Sequence, residues 1–215
     1  RAYLENGLTR QPGTLKFWYG APMFRHDRPQ AGRYRQFHQI GVEALGSASP
    51  VLDAEVIQTL LALFDAVDAQ QLVLLINSIG CPACRPAFVD SLRGFLNENR
   101  EAIPAEFRGR IDRNPLRMYD AKDAATQALL AEHAPITEFL CQACRDHHAV
   151  VLGCLDDLGI VYEEDAALVR GLDYYTRTTF EVTARTGRKQ SSLAGGGRYD
   201  DLVAQCGGPA TPGIG

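Results

Sequence analysis

Two Cys-x-x-Cys pairs, Cys81-Pro-Ala-Cys84 and Cys141-Gln-Ala-Cys144, stand 56 residues apart in a chain of 215. Each pair can grip a metal from one tight turn, and four thiolates suit a tetrahedral zinc site. No secretory signal is visible at the front of the chain, so the pattern reads as a metal site in a reducing, cytoplasmic setting rather than as disulfides. Structural Zn2+ held by Cys81, Cys84, Cys141 and Cys144 would tie together the two ends of the segment between them. A redox pair and four unligated thiols are the alternatives. Cys154 and Cys206 read as ordinary small buried residues.

Composition narrows the class. A hydrophobic fraction of 46% is that of a folded globular protein. No apolar run approaches the roughly 18 residues of a membrane helix, which argues against a membrane partner. A net charge of −4 argues against general coating of nucleic acid. A local patch can still serve an RNA partner, and Arg25, Arg28, Arg33 and Arg35 lie within eleven residues. A solvated charged loop is the plainer reading of that run.

The patterning predicts a sheet-based core interrupted by a mainly helical insertion from about residue 81 to 160. Residues 1–8 suggest the end of a helix. Lys16–Tyr19, Met23–Asp27 and Phe37–Gly46 suit strands, the last two joined by a turn-rich loop and so antiparallel. Asp53–Val67 has apolar residues at helical spacing, with Asp53 in the N-cap position. Leu72–Ile76 is an apolar strand, and Thr178–Thr183 is strand-like, followed by a turn at Gly187 and Gly195-Gly-Gly-Arg198-Tyr199-Asp200.

One strand has the character of a binding surface. Alternation along Phe37–Leu45 places Gln39, Gly41 and Glu43 on one face, with Ile40, Val42 and Ala44 on the other as plain core. Gln39 and Glu43 then lie about 13 Å apart along the strand. A glycine between them often marks close approach of a ligand. Such a floor suits a small zwitterion, or is simply the solvent side of the sheet. Arg25 and Asp27 share a face of the preceding strand, and a guanidinium fork matches phosphate. A surface ion-pair network is the alternative there.

Three longer runs carry a resemblance. Gly20-Ala-Pro-Met-Phe-Arg25, continuing through Arg28, Arg33 and Arg35 to His38-Gln39, resembles motif 2 of the histidyl-tRNA synthetases. Leu168-Val-Arg170-Gly-Leu-Asp-Tyr174-Tyr175-Thr-Arg-Thr-Thr-Phe180-Glu181 resembles the family's second histidine-binding signature. Ala194-Gly-Gly-Gly-Arg198-Tyr199-Asp200 resembles the glycine-rich strand that follows it, and Asn77-Ser-Ile-Gly80 falls between in the family's order. The resemblance implies an α+β fold, a class II synthetase-like antiparallel sheet flanked by helices. On it, residues 1–80 and 161–215 form a partial catalytic core, and 81–160 an inserted helical domain.

It further implies a two-step reaction. Histidine is activated with ATP and Mg2+ to histidyl-adenylate, and the histidyl group passes to the 3′ end of tRNA(His). Arg25 falls to the ATP α-phosphate, Arg33 to its far phosphates, and Asp27 near the adenine, where the family usually has Glu. Gln39 falls to the α-amino group of histidine and Glu43 to its imidazole, with Tyr174, Tyr175 and Tyr199 about the side chain. Arg170 falls to the reacting carboxylate and α-phosphate, and Arg28 and Arg35 to the tRNA, though ion pairing within the loop would serve them as well. Preorganised guanidinium groups suit a carboxylate attacking a polyphosphate.

Many family members lack the four cysteines, so the metal site rests on spacing alone. Motif 1, the Arg-Pro-Glu loop and motif 3 are missing from this sequence. The chain alone is therefore expected to bind ATP and histidine poorly and to be inactive, and the full-length protein to be a homodimer. The alternative is a non-catalytic paralogue, such as the regulatory subunit of ATP phosphoribosyltransferase, which tends to lose the Arg-rich loop. A zinc-stabilised RNA-binding module would leave Gly171–Tyr175 and the Glu43 face without a purpose.

Overall fold

A computed structural model describes the chain except for residues 27, 30–33, 122, 170–173 and 186–190 and the side chain of Ser191. Among the described residues, a short helix α1 (Ala2–Glu5) leads to the hairpin strands β1 (Leu15–Phe24) and β2 (Gln36–Leu45). Next come α2 (Pro50–Ala66) and β3 (Leu72–Ser78). Four helices follow: α3 (Arg85–Glu98), α4 (Ala105–Arg113), α5 (Ala124–Ala131) and α6 (Gln142–Asp157). The chain then returns through β4 (Glu163–Glu164), β5 (Thr176–Ala184), β6 (Ser191–Arg198), α7 (Leu202–Gln205) and β7 (Gly213–Ile214).

These strands form one sheet in the order β1-β2-β7-β6-β5-β3-β4. Every neighbouring pair is antiparallel except β3 with β4, which is parallel, so the sheet is mixed rather than wholly antiparallel. The expected break between Lys16–Tyr19 and Met23–Asp27 is not there. β1 runs unbroken through Gly20 and Pro22, alternating half-buried and exposed residues along its length. A proline lacks the N–H that a ladder needs, and β1 tolerates Pro22 because it is the edge strand.

The helical stretch predicted from the composition change is present between β3 and β4. It packs on both sides of the sheet. Phe88, Leu92, Leu96, Ile103, Ile111 and Met118 share one core with Leu45, Tyr175 and Tyr199. Val151 and Leu155 of α6 join Ile57 of α2 and Leu74, Ile76 and Phe180 of the strands in a second. The segment therefore rests against the strands that carry the candidate site. Among the described residues, no helix is long and apolar enough to cross a membrane.

Asp53 is not the N-cap of α2. Ser49 is, and Asp53 sits inside the first turn, fully buried. Arg198, at the end of β6 and itself without solvent exposure, donates through Nε to Asp53 Oδ1 at 3.1 Å and through Nη2 to the same oxygen. Arg198 Nη1 and Nη2 also reach the Ser47 and Ser49 carbonyls at 3.0 and 3.1 Å, and Nη1 reaches Asp200 at 2.9 Å. Thr178 Oγ1 donates to Asp53 Oδ2 at 2.6 Å, and His147 Nε2 of α6 lies 2.8 Å from it. One carboxylate joins α2, α6, β5 and β6. Val67, expected at the end of the apolar stripe of α2, is exposed, because it is the C-cap and lies just beyond the helix.

Burial alone would raise the Asp53 carboxyl, and the bonds from His147, Arg198 and Thr178 outweigh it and hold it below the ordinary value. A folded value below the unfolded one of about 3.9 gives stability that is complete above that pH. The contribution is lost as pH falls through the folded value. Asp53→Ala strands the Arg198 charge and is expected to cost about 3–5 kcal/mol at pH 7 in urea denaturation. The difference from wild type should narrow below about pH 4; a constant difference down to pH 3 would contradict this account.

Candidate functional site

The β1–β2 hairpin borders a cavity of about 1130 Å³ that takes in both faces of the strands. Tyr19, Arg25, Gln39, Glu43, Tyr174, Tyr175 and Tyr199 line it, and so do Ile40 and Val42 of the opposite face and Leu60 and Phe64 of α2. Register explains the convergence. Tyr19 pairs with Gly41 across the hairpin, between the pairs that carry Gln39 and Glu43, so all four project to one face. Tyr199 follows β6 immediately, and β7 bridges β6 to β2 through Ile214, which pairs with both Arg198 and Ala44. Glu43 and Tyr199 thus meet across the bridge, and Tyr199 Oη donates a hydrogen bond to Glu43 Oε2. Gln39 Nε2 donates to Tyr19 Oη at 2.9 Å.

Tyr19 is the residue that sequence reasoning missed. Gly41 was expected to leave room for a ligand, and the Tyr19 ring fills that room: a Cβ on Gly41 would fall 2.2 Å from it. The same relation recurs at Gly197, where a Cβ would lie 2.9 Å from the Tyr175 ring and 2.7 Å from the Thr178 carbonyl oxygen. Tyr175 is buried and its ring lies 4.7 Å from that of Tyr174. The other face of β2 departs from plain core. Ala44 is buried, but Ile40 is 63% exposed, because no described helix covers that end of the hairpin.

Burial raises the Glu43 carboxyl above its ordinary value, with the bond from Tyr199 opposing. Burial raises the Tyr199 phenol too, with the Glu43 charge second, and the same two causes raise Tyr19. Both phenols stay neutral donors near neutral pH. The floor therefore presents a carboxylate, two phenols and an amide to a small molecule with N–H groups to satisfy.

Arg25 lies just beyond β1, half-buried. Its amide donates to the Arg35 carbonyl at 2.8 Å and its Nε to the Tyr34 carbonyl at 2.9 Å, with the guanidinium 4.5 Å above the Phe37 ring. Arg28 and Arg35 are exposed on the connection between the hairpin strands. Asp27, Arg33 and Arg170 lie outside the described residues, as does the turn at Gly187.

The four cysteines converge as their spacing predicts. Their sulfurs all lie within 4.8 Å of one another. Cys81 Sγ is 3.7 Å from Cys84 Sγ and 3.9 Å from Cys141 Sγ, and Cys84 Sγ is 3.9 Å from Cys144 Sγ. Zinc–sulfur bonds of about 2.3 Å in a tetrahedron require edges of about 3.8 Å, so the donor set fits. Burial works against ionisation of Cys81, but the Ala83 and Cys84 amides and neighbouring thiols outweigh it and bring the thiol to about 7. Burial pushes the Cys144 thiol up. Cys154 is half-buried against the core of α2 and Phe180, and Cys206, just beyond the end of α7, is exposed, contrary to the expectation that both are buried.

A family model described as histidyl-tRNA synthetase matches residues 3–215. The chain belongs to the histidyl-tRNA synthetase family. Histidine–tRNA ligases of Desulforamulus reducens and Pelotomaculum thermopropionicum are 49% and 48% identical over the whole chain, which spans 51% of each. The chain thus covers about half the length of these relatives. A crystal structure of apo S. aureus histidyl-tRNA synthetase superposes with a TM-score of 0.77 at 34% identity, over 99% of this chain and 51% of that one. The α+β synthetase fold is thereby shown. An ATP phosphoribosyltransferase regulatory subunit/histidyl-tRNA synthetase from Bacillus halodurans shares the fold at 19% identity and a TM-score of 0.64.

Overpacking a tight site typically costs about 1–3 kcal/mol. Gly41→Ala is expected to lower stability by that amount in urea denaturation, by driving a methyl group into the Tyr19 ring. Gly94 in α3 has nothing within 4 Å of where its Cβ would stand. There the same change should be neutral, or stabilise by about 0.5–1 kcal/mol. Equal effects at the two positions would argue against the Tyr19–Gly41 contact.

Proposed function

We propose that the protein this chain belongs to activates histidine with ATP and Mg2+ and charges tRNA(His). The observation that carries the reading is Glu43 held by Tyr199 in a cleft shared with Gln39, Tyr174 and Tyr175. A carboxylate accepts from one imidazole N–H, and a phenol can donate to or accept from the other nitrogen. Apolar amino acids would leave both partners unpaired, a penalty large enough for discrimination without editing. Gln39 at the far end of the floor takes the α-amino group. Tyr19 orients Gln39 and belongs to the same wall.

Arg25 takes the α-phosphate of ATP, on a side chain already oriented by the Tyr34 carbonyl and the Phe37 ring. Arg33, Asp27 and Arg170 complete the ATP and carboxylate contacts in this reading, and Arg28 and Arg35 contact the tRNA. As the histidine carboxylate attacks the α-phosphorus, pyrophosphate leaves, and fixed guanidinium groups neutralise the charge without reorganising. The full-length protein works in the cytoplasm as a homodimer, with residues 81–160 as an inserted domain. The pocket for histidine and the arginines at the hairpin tip favour this over a non-catalytic paralogue.

Cys81, Cys84, Cys141 and Cys144 hold a structural Zn2+, which would join the start of α3 to the start of α6. Its role lies in fixing chain geometry, not in the reaction.

Histidine-dependent ATP–pyrophosphate exchange by the full-length protein is the deciding assay. Glu43→Ala should lower kcat/KM for histidine by about one to two orders of magnitude, the size of a lost hydrogen bond to a charged group. No exchange by the wild type would refute the reading. For the metal, elemental analysis of protein purified without chelator should give about one zinc per chain. Serine at all four cysteine positions should abolish it, and retention of zinc by that variant would place the ion elsewhere.

A further inference from the structure

The two cysteine pairs are built alike. In Gly80-Cys-Pro-Ala-Cys84-Arg85 and Leu140-Cys-Gln-Ala-Cys144-Arg145, the arginine amide donates at 3.0 Å to the carbonyl of the first cysteine. Each guanidinium then turns back to the carbonyl five residues earlier, Arg85 to Gly80 at 3.2 Å and Arg145 to Leu140. The likeness ends there. Arg145 otherwise reaches Gln142 Oε1 at 3.0 Å, within its own turn. Arg85 reaches out of its turn: Nε donates to the Ile79 carbonyl at 3.1 Å and Nη2 to the carbonyl of Tyr175, 90 residues on.

Tyr175 is a wall of the cleft, and its backbone needs outside support. Arg177, two residues later, has φ of 52°, a left-handed conformation that a non-glycine side chain rarely adopts. Between Thr176 and Thr179 the pairing of β5 with β6 is irregular. Such conformations persist where surrounding contacts over-determine them. Here the contacts are the Ile79 amide to the Arg177 carbonyl and the Arg177 amide to the Gly80 carbonyl, both 2.8 Å, with the Arg85 guanidinium beside them on Ile79, Gly80 and Tyr175. The Tyr175 ring is meanwhile seated on Gly197.

We infer that Arg85 is a positioning residue for the amino-acid pocket, carrying the geometry of the four-cysteine centre to the backbone of Tyr175. The inference rests on the reading of the cleft as the histidine site. Arg85 follows Cys84 directly, so a metal that fixes the Cys81–Cys84 turn fixes the point from which the guanidinium reaches. The centre thereby shapes the pocket as well as joining helices.

Arg145 supplies the matched control. In the full-length protein, Arg85→Ala is expected to raise the Kd for histidine, by isothermal titration, about tenfold with zinc content unchanged. Arg145→Ala should leave it within twofold, and Arg85→Lys should recover part of the loss. In pyrophosphate exchange, Arg85→Ala should raise KM for histidine while kcat at saturation stays within about twofold, a split that general destabilisation would not give. Chelation should weaken histidine binding by the wild type and add little in Arg85→Ala. Equal effects of the two alanine variants, an unchanged Kd in Arg85→Ala, or additive effects of chelation would overturn the inference. Should the wild type bind no histidine, the pocket reading fails separately, and deuterium uptake across residues 174–179 judges the arginine. Faster uptake in Arg85→Ala but not in Arg145→Ala supports it, and unchanged uptake refutes it.

Discussion

The buried Asp53–Arg198 pair is the interaction on which the arrangement of the cleft depends. Arg198 directly precedes Tyr199, and its guanidinium also holds the Ser47 and Ser49 carbonyls just after β2. Glu43 lies near the end of that strand. A single charge pair therefore ties the end of β6 to the start of α2 and the turn after β2, close to where Glu43 and Tyr199 bond to each other. An ion pair with no solvent exposure gives weak net stability once desolvation is counted, but losing one partner is costly. The outer oxygens and nitrogens are satisfied by Thr178, His147 and Asp200, which is what makes a charge tolerable at such a depth.

That network also shows where sequence reasoning ends. Asp53 at the front of an apolar helix suits a cap, a local role that needs only its neighbours. Its real partners, His147 and Arg198, are 94 and 145 residues away, and nothing in the periodicity of α2 points to them. The face of β2 is the opposite case. Alternation along one strand is sufficient to place Gln39, Gly41 and Glu43 on one face, and the unbroken register of β2 with β1 keeps that alternation. Tyr19 was hidden because its role requires the register of the hairpin. Once Tyr19 is opposite Gly41, the bare backbone is a seat for a ring and not a gap. The supposed break at Gly20–Pro22 failed for a related reason, since whether a proline interrupts a strand depends on the strand's place in the sheet.

The inserted helices are more than an appendage to the sheet. They begin in the core that includes Tyr175 and Tyr199 and end, through α6, in the core of α2 and Phe180. His147 makes the second attachment polar as well as apolar, and His148 adds a contact to Glu164 in β4 at 3.2 Å. Residues far from the cleft thus bear on its walls through ordinary packing.

The twin Cys-x-x-Cys-Arg turns have one more consequence. Each is closed by its own backbone bonds and its own arginine, and Leu140 packs with Cys84 and Cys144 in one small buried cluster. The four sulfurs therefore come from two separately closed loops, so a substitution that opens one loop leaves the other able to present its pair.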